Sequence, residues 1–201
     1  MKLLICATEY EAKIIIDYYK LKKTDLKSIK VYSNKNIVLV VSGIGKVMAS
    51  IIAYLIQTFD CKYVINIVVS CKKKWNIGDI LLVDQVIQYD VEIPFRNKYT
   101  NVIYSPLKLN SLENKKDEIY TICATGDKVI NTDKKEGLNK LDIDIVDMEL
   151  FAIKYMEEVG MLDKLIAIKI SDDLQDYKLD NLKKTMEKVC IKLNEIYKII
   201  K

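Results

Sequence analysis

The feature that most constrains this chain is its alternation of short, wholly apolar runs with longer segments whose apolar residues recur every three to four positions. Residues 2–7 (KLLICA) have the length and composition of a buried strand, and residues 9–20 (EYEAKIIIDYYK) have the period of a helix. Residues 29–33 and 36–42 predict a strand pair with Asn34 and Lys35 in the turn. Ser42-Gly43-Ile44-Gly45-Lys46 breaks the pattern and leads into an expected helix over 46–58. Further strands are expected over 63–69, 80–88, 119–124, 143–147 and 164–170, and helices over 133–140, 149–158 and 180–200. In the last helix Leu182, Met186, Val189, Leu193, Ile196 and Ile199 form one apolar stripe. This order predicts an α/β fold: a single three-layer domain over residues 1–201, with a mixed twisted central sheet flanked by helices. Residues 90–117 hold both prolines, Pro94 and Pro106, and read as a long loop of the kind that covers a site.

Composition removes several chemistries. The chain has no histidine, which excludes Ser-His-Asp and Cys-His catalysis and histidine-ligated metals. Acid–base work must fall to Asp, Glu, Lys, Tyr or Cys. Cys6, Cys61, Cys71, Cys123 and Cys190 are odd in number and widely spaced, with no CxxC pair. They argue against a disulfide framework and against a structural zinc site, and fit a reduced, cytoplasmic location. No apolar run is long enough to cross a membrane, and the first residues lack a signal-peptide pattern. A net charge of +4, from 32 basic and 28 acidic residues, gives no reason to expect nucleic acid or a membrane surface as partner. Arg96 is the only arginine, so several guanidinium clamps on a phosphate cannot be assembled.

In an α/β sheet, ligands bind at the carboxyl ends of strands. Three polar clusters stand there: Thr8-Glu9-Tyr10-Glu11, Asp147-Met148-Glu149 and Ser171-Asp172-Asp173. An acidic residue at a helix start is also an ordinary cap or dipole partner, so each cluster alone leaves both readings open.

Together and in order, the motifs are more specific. Cys6-Ala7-Thr8-Glu9-Tyr10-Glu11 is similar to a "GAMEEE" pattern, and Val41-Ser42-Gly43-Ile44-Gly45-Lys46-Val47 to "SGIGKV". Ile77-Gly78-Asp79-Ile80 is similar to "VGDIV", and Ala124-Thr125-Gly126-Asp127 to "SGD". Val146-Asp147-Met148-Glu149 is similar to "VDMEA", and Ile170-Ser171-Asp172 to "ISD". Over nearly its whole length the chain resembles the nucleoside phosphorylase superfamily, and most of all its branch of methylthioadenosine/S-adenosylhomocysteine nucleosidases.

The resemblance implies a hydrolase that cleaves the N-glycosidic bond of a purine nucleoside without a cofactor, working as a homodimer with part of 90–117 near the partner's site. It implies that Glu149 binds the ribose hydroxyls, that Met148 packs under the ribose, and that Asp172 is the general acid at N7 of the base. Glu11 falls on the water-activating position, and Ile44 lies near the attacking water. Val129 and Ile130 flank the base, and Ser171 belongs to the substrate-binding set. The chemistry parallels glycoside hydrolysis, with one acid on the leaving group and one base on water.

The chain departs from the pattern at three places. A "GSAGG" segment is replaced by Val68-Val69-Ser70-Cys71-Lys72-Lys73-Lys74-Trp75, an arginine ahead of "ISD" by Ile168, and a base-stacking aromatic by Val129. These departures leave the 5′ substituent of the nucleoside open. A phosphate-dependent phosphorylase and a degenerate, non-catalytic nucleoside-binding protein stand as the alternatives.

Overall fold

Leu3, Leu4, Ile5 and Cys6 are all fully buried, so the first strand has two apolar faces and belongs inside a sheet covered on both sides. A computed structural model describes residues 1–26, 28–72, 75–91, 107–109, 119–128, 143–172 and 179–199. Its elements run β1 (Lys2–Cys6), α1 (Glu9–Tyr19), β2 (Lys22–Leu26), β3 (Ile29–Ser33), β4 (Ile37–Val41), α2 (Lys46–Ala49), α3 (Ile52–Phe59) and β5 (Tyr63–Lys72). They continue with β6 (Ile80–Gln88), β7 (Leu107–Lys108), β8 (Tyr120–Thr125), β9 (Ile145–Asp147), α4 (Leu150–Glu158), β10 (Lys164–Asp172) and α5 (Leu179–Ile199).

The sheet is mixed and its helices lie on both faces, as expected. β1 is flanked in parallel by β4 and β5, and β4 continues antiparallel through β3 to the edge strand β2. One face packs Ile52 and Leu55 of α3 and Leu150 and Ile153 of α4 against Leu3, Ile5 and Val64. The other packs Ala12 and Ile15 of α1 and Met186, Val189 and Leu193 of α5 against Leu4, Ile65 and Ile168.

One feature of the topology has no local signature. β5 pairs with β10 along one edge, while its other edge pairs with β1 as far as Asn66 and with β9 from Cys71, opposite Val146. β10, β6, β8 and β9 pair in turn, so these four strands and β5 close into a ring. Closure brings the ends of β8 and β9 against the end of β5.

Three segments differ from expectation. The helix over 46–58 is two helices, because Ser50 and Ile51 form tight i→i+3 bonds to Val47 and Met48 and the Ser50 hydroxyl donates to the Val47 carbonyl at 2.6 Å. The strand over 63–69 runs on to Lys72, so the segment that lacks the family's glycines begins as regular strand. β2 was not expected at all: its sequence, KKTDL, carries no apolar alternation. The helix expected over 133–140 lies outside the described residues, as does most of 90–117, of which Leu107–Lys108 pairs with β6.

Ile65 is fully buried at the centre of the α1/α5 face. Ile65→Ala is expected to cost about 2–5 kcal/mol in urea unfolding at unchanged slope. A loss below about 1 kcal/mol would contradict this packing.

Candidate active site

The start of α1 supplies the first acid. Thr8 and Glu11 form a reciprocal capping box: the Glu11 amide donates to Thr8 Oγ1 at 3.4 Å, and the Thr8 amide donates to Glu11 Oε2 at 2.7 Å. Thr8 Oγ1 also donates to Glu11 Oε2 at 2.8 Å. The other oxygen, Oε1, accepts from the Val69 amide of β5 at 2.7 Å. Glu11 is 3% exposed. Burial raises its pKa, against the opposing pull of the bonds from Val69 and Thr8. Glu11 is therefore both a helix cap and a buried carboxylate tied to the end of β5.

After β4 the chain turns through Gly43 and Gly45, both at positive φ (+92° and +99°), which favours glycine. The turn holds the Gly43 amide on the Ala7 carbonyl and aims the Gly45 amide at Glu149 Oε1, 2.9 Å away. Ile44, between them, is exposed. Glu149 is 2% exposed, and its second oxygen accepts from the Met148 amide at 3.3 Å. Burial, with the carboxylate of Asp147 and more weakly that of Glu11, pushes the pKa of Glu149 up to about 7, against the pull of the Gly45 amide and Lys169. Met148 is half-buried.

Beneath Glu149 lies a network that the sequence reading did not assign. Asp147 Oδ2 accepts from the Leu150 amide at 2.9 Å, and Thr125 Oγ1 accepts from the Phe151 amide at 3.1 Å. These side chains satisfy two of the free amides at the start of α4. Thr125 donates to Asp147 Oδ1 at 2.5 Å. Lys169 is wholly buried, with Nζ 2.6 Å from Asp147 Oδ2 and 2.6 Å from Asn66 Oδ1. Burial alone would lower the Lys169 pKa, but the Asp147 carboxylate outweighs it and holds the ammonium above the ordinary lysine value. The available signal was a lone lysine inside the apolar run Leu165-Ile166-Ala167-Ile168-Lys169-Ile170, which demands a buried partner.

A second ionic tie joins three loops. Lys46 Nζ bonds both oxygens of Asp90, at 2.6 and 2.8 Å, and lies 3.5 Å from Asp127. Asp127 accepts from the Lys46 amide at 3.0 Å and donates its own amide to Asp90 at 2.8 Å. Tyr89 covers Gly126, where a Cβ would come within 2.4 Å of its ring, and its hydroxyl donates to the Lys128 carbonyl at 2.6 Å. Val129 and Ile130 follow directly but lie outside the described residues.

At the end of β10, Ser171 sits beside Ser70 of β5, and Asp172 beside Cys71. Both serines are buried, and among the described residues their hydroxyls have no hydrogen-bond partner. Asp172 closes the strand; Asp173 lies outside the described residues. The structure thus joins Glu11, Glu149 and Ser171 to the strand ends that also carry Asp172, with Ile44 on the adjoining turn. A groove of about 540 Å³ lies at the opposite end of the sheet, between Lys2, Ile37, Tyr63 and Tyr197, and none of its lining residues is acidic.

A carboxyl whose folded pKa lies above its unfolded value favours the folded state while protonated. Its contribution is complete below the ordinary carboxylate range and is lost as pH rises through the folded pKa. For Glu149 that window ends near pH 7. Glu149→Gln is expected to be more stable than wild type at pH 8, and its advantage in Tm should widen from pH 5 to pH 8 by at least ~3 °C. A constant difference across that range would contradict the buried, strained carboxylate.

Comparison with known proteins agrees with this architecture. A 5'-methylthioadenosine/S-adenosylhomocysteine nucleosidase of Marinomonas sp. (strain MWYL1) is 37% identical over 65 residues, which span 31% of this chain and 28% of that protein. The apo structure of Arabidopsis thaliana 5'-methylthioadenosine nucleosidase superposes with a TM-score of 0.83 at 21% identity, covering 99% of this chain and 95% of the other. A futalosine hydrolase mutant of Helicobacter pylori strain 26695 gives 0.78 at 18% identity, covering 98% of both chains. The family model described as the phosphorylase superfamily matches residues 2–189, and the chain belongs to that superfamily.

Proposed function

We propose that the protein is an N-ribosyl hydrolase that releases the base from a purine nucleoside of the methylthioadenosine or S-adenosylhomocysteine type. The observation that carries this reading is the buried carboxylate of Glu149, held by the Gly45 amide and electrostatically linked to a second buried carboxylate, Glu11. A carboxylate accepts only, and its two oxygens offer about four lone-pair sites. With one site on Oε1 taken by Gly45 and one on Oε2 by Met148, Glu149 can still accept from both ribose hydroxyls. Its negative charge also favours the oxocarbenium character that the sugar gains as the bond breaks.

In this reading the C1′–N9 bond breaks with its electron pair going to the base, and Asp172 in its acid form delivers a proton to N7. Water adds to C1′ and gives its proton to Glu11. Glu11 Oε1 accepts one backbone bond, from Val69, and keeps a lone pair for that water. Burial raises the proton affinity of Glu11, which suits a base. Water rather than phosphate is favoured because, among the described residues, the lysines tied into the site, Lys46 and Lys169, are each already paired with a carboxylate, Asp90 and Asp147. Phosphorolysis needs cations free to hold the anion.

The homodimer belongs to the same reading. Ile44, Val47 and Met48, on the Gly43–Gly45 turn and α2, are each more than half exposed, and Tyr54 and Tyr155 on α3 and α4 are exposed as well. Apolar side chains gathered at the rim of a site suit burial against a second copy. We place this dimer in the cytoplasm; among the described residues no helix is long and apolar enough to cross a membrane.

The purified protein is expected to release adenine from methylthioadenosine or S-adenosylhomocysteine in phosphate-free buffer. Asp172→Asn is expected to lower kcat by on the order of 10²–10⁴. Absence of base release from every purine nucleoside tried, with and without phosphate, would refute the enzyme reading. In light scattering at micromolar concentration the protein should be dimeric and Val47→Asp/Met48→Asp monomeric; a monomeric wild type would refute the dimer.

A further inference from the structure

Lys169 takes no part in the proposed mechanism, yet it is one of the largest wholly buried side chains in the protein. An ammonium in an apolar core is costly unless a specific partner compensates it. Here the partner is Asp147, which with Thr125 holds the first amides of α4, the helix that begins directly after Glu149. We propose that Lys169 is a positioning residue of the site: through Asp147 it sets the start of α4 and the direction of Glu149, and its charge keeps Glu149 available as an anionic acceptor. The proposal rests on the reading of Glu149 as the ribose-binding group.

The surroundings of Glu149 show why one cation matters. Asp147 of β9 and Glu11 of α1 both oppose its ionisation. Cys123 of β8 is a buried thiol that interacts with both Glu149 and Asp147 and is itself pushed well up by burial, so it stays neutral. Among the described residues, Lys169 of β10 is the one cation acting on Glu149, and it acts on Glu11 in the same sense. Three carboxylates thus share one buried ammonium. Lys46, on the neighbouring turn, is spent on Asp90 and Asp127. The geometry is directional as well as electrostatic. Lys169 also holds Asn66 on β5, so the pair locks β9 and β10 to the strand whose Val69 amide fixes Glu11.

The test uses the full chain labelled with ¹³C at the glutamate carboxyls, the Glu149 signal being assigned by its loss in Glu149→Gln. Titrations of wild type, Lys169→Met, Asp147→Asn and the double variant are compared. Removing the cation should raise the Glu149 midpoint by about one pH unit or more, and removing Asp147 should lower it. The double variant should return to within about half a unit of wild type. The acid limb of kcat/KM should move with the midpoint, so Lys169→Met loses roughly fivefold or more at pH 7.

If Lys169→Met does not accumulate folded, the step from Asp147→Asn to the double variant, upward in midpoint, carries the test. Folded variants that lose Tm while the Glu149 midpoint stays fixed would show a purely structural lysine and overturn the proposal. A wild type that releases no base, but whose Glu149 midpoint follows Lys169, would refute the hydrolase reading alone.

Discussion

The contact between Lys169 and Asp147 is the interaction on which the rest of the site depends. Both side chains are withdrawn from water, and further hydrogen bonds on each help their attraction to compensate desolvation. Asp147 accepts from Thr125 and from the Leu150 amide, and Lys169 also donates to Asn66. The pair joins β9 to β10, caps α4 and stands next to Glu149 in sequence. A buried ion pair is by itself a weak source of stability, so the pair makes most sense as part of a functional electrostatic arrangement.

Closure of the sheet makes that contact possible. Asp147 and Lys169 sit on strands that do not pair with each other; each pairs with β5, on opposite edges. The same closure sets the end of β5 beside α1, where Val69 reaches Glu11. The glycine turn after β4 completes the frame. Positive φ at Gly43 and Gly45 lets a backbone amide rather than a side chain meet Glu149, and the Lys46–Asp90–Asp127 tie holds that turn to the loops after β6 and β8. Both acids are thus fixed by backbone donors before any ligand arrives, which is what electrostatic preorganisation requires.

Much of this was legible in the amino-acid sequence, and the exceptions have physical reasons. Buried strands such as KLLICA and KLIAIKI announce themselves because a sheet covered on both faces needs continuous apolar runs. Glu11 and Glu149 were legible as acids at strand ends, and Thr8-x-x-Glu11 was equally legible as a cap; the structure shows that the cap and the buried carboxylate are one group. β2 was missed because an edge strand needs little burial, and KKTDL has the charge that discourages edge pairing. The break between α2 and α3 involves no glycine or proline. Sheet closure left no trace because register between distant strands is not a local property. Lys169 was passed over because its partner stands 22 residues away on another strand, and only the fold brings them together.

The central claim is that this acidic set delivers water to C1′ of a purine nucleoside. The most direct measurement is turnover of methylthioadenosine in ¹⁸O-enriched water containing inorganic phosphate, followed by mass spectrometry of the sugar product before its anomeric oxygen exchanges. The account predicts one ¹⁸O at C1 of a free ribose derivative, with adenine released in equal amount. A ribose 1-phosphate derivative carrying no label from water would contradict it.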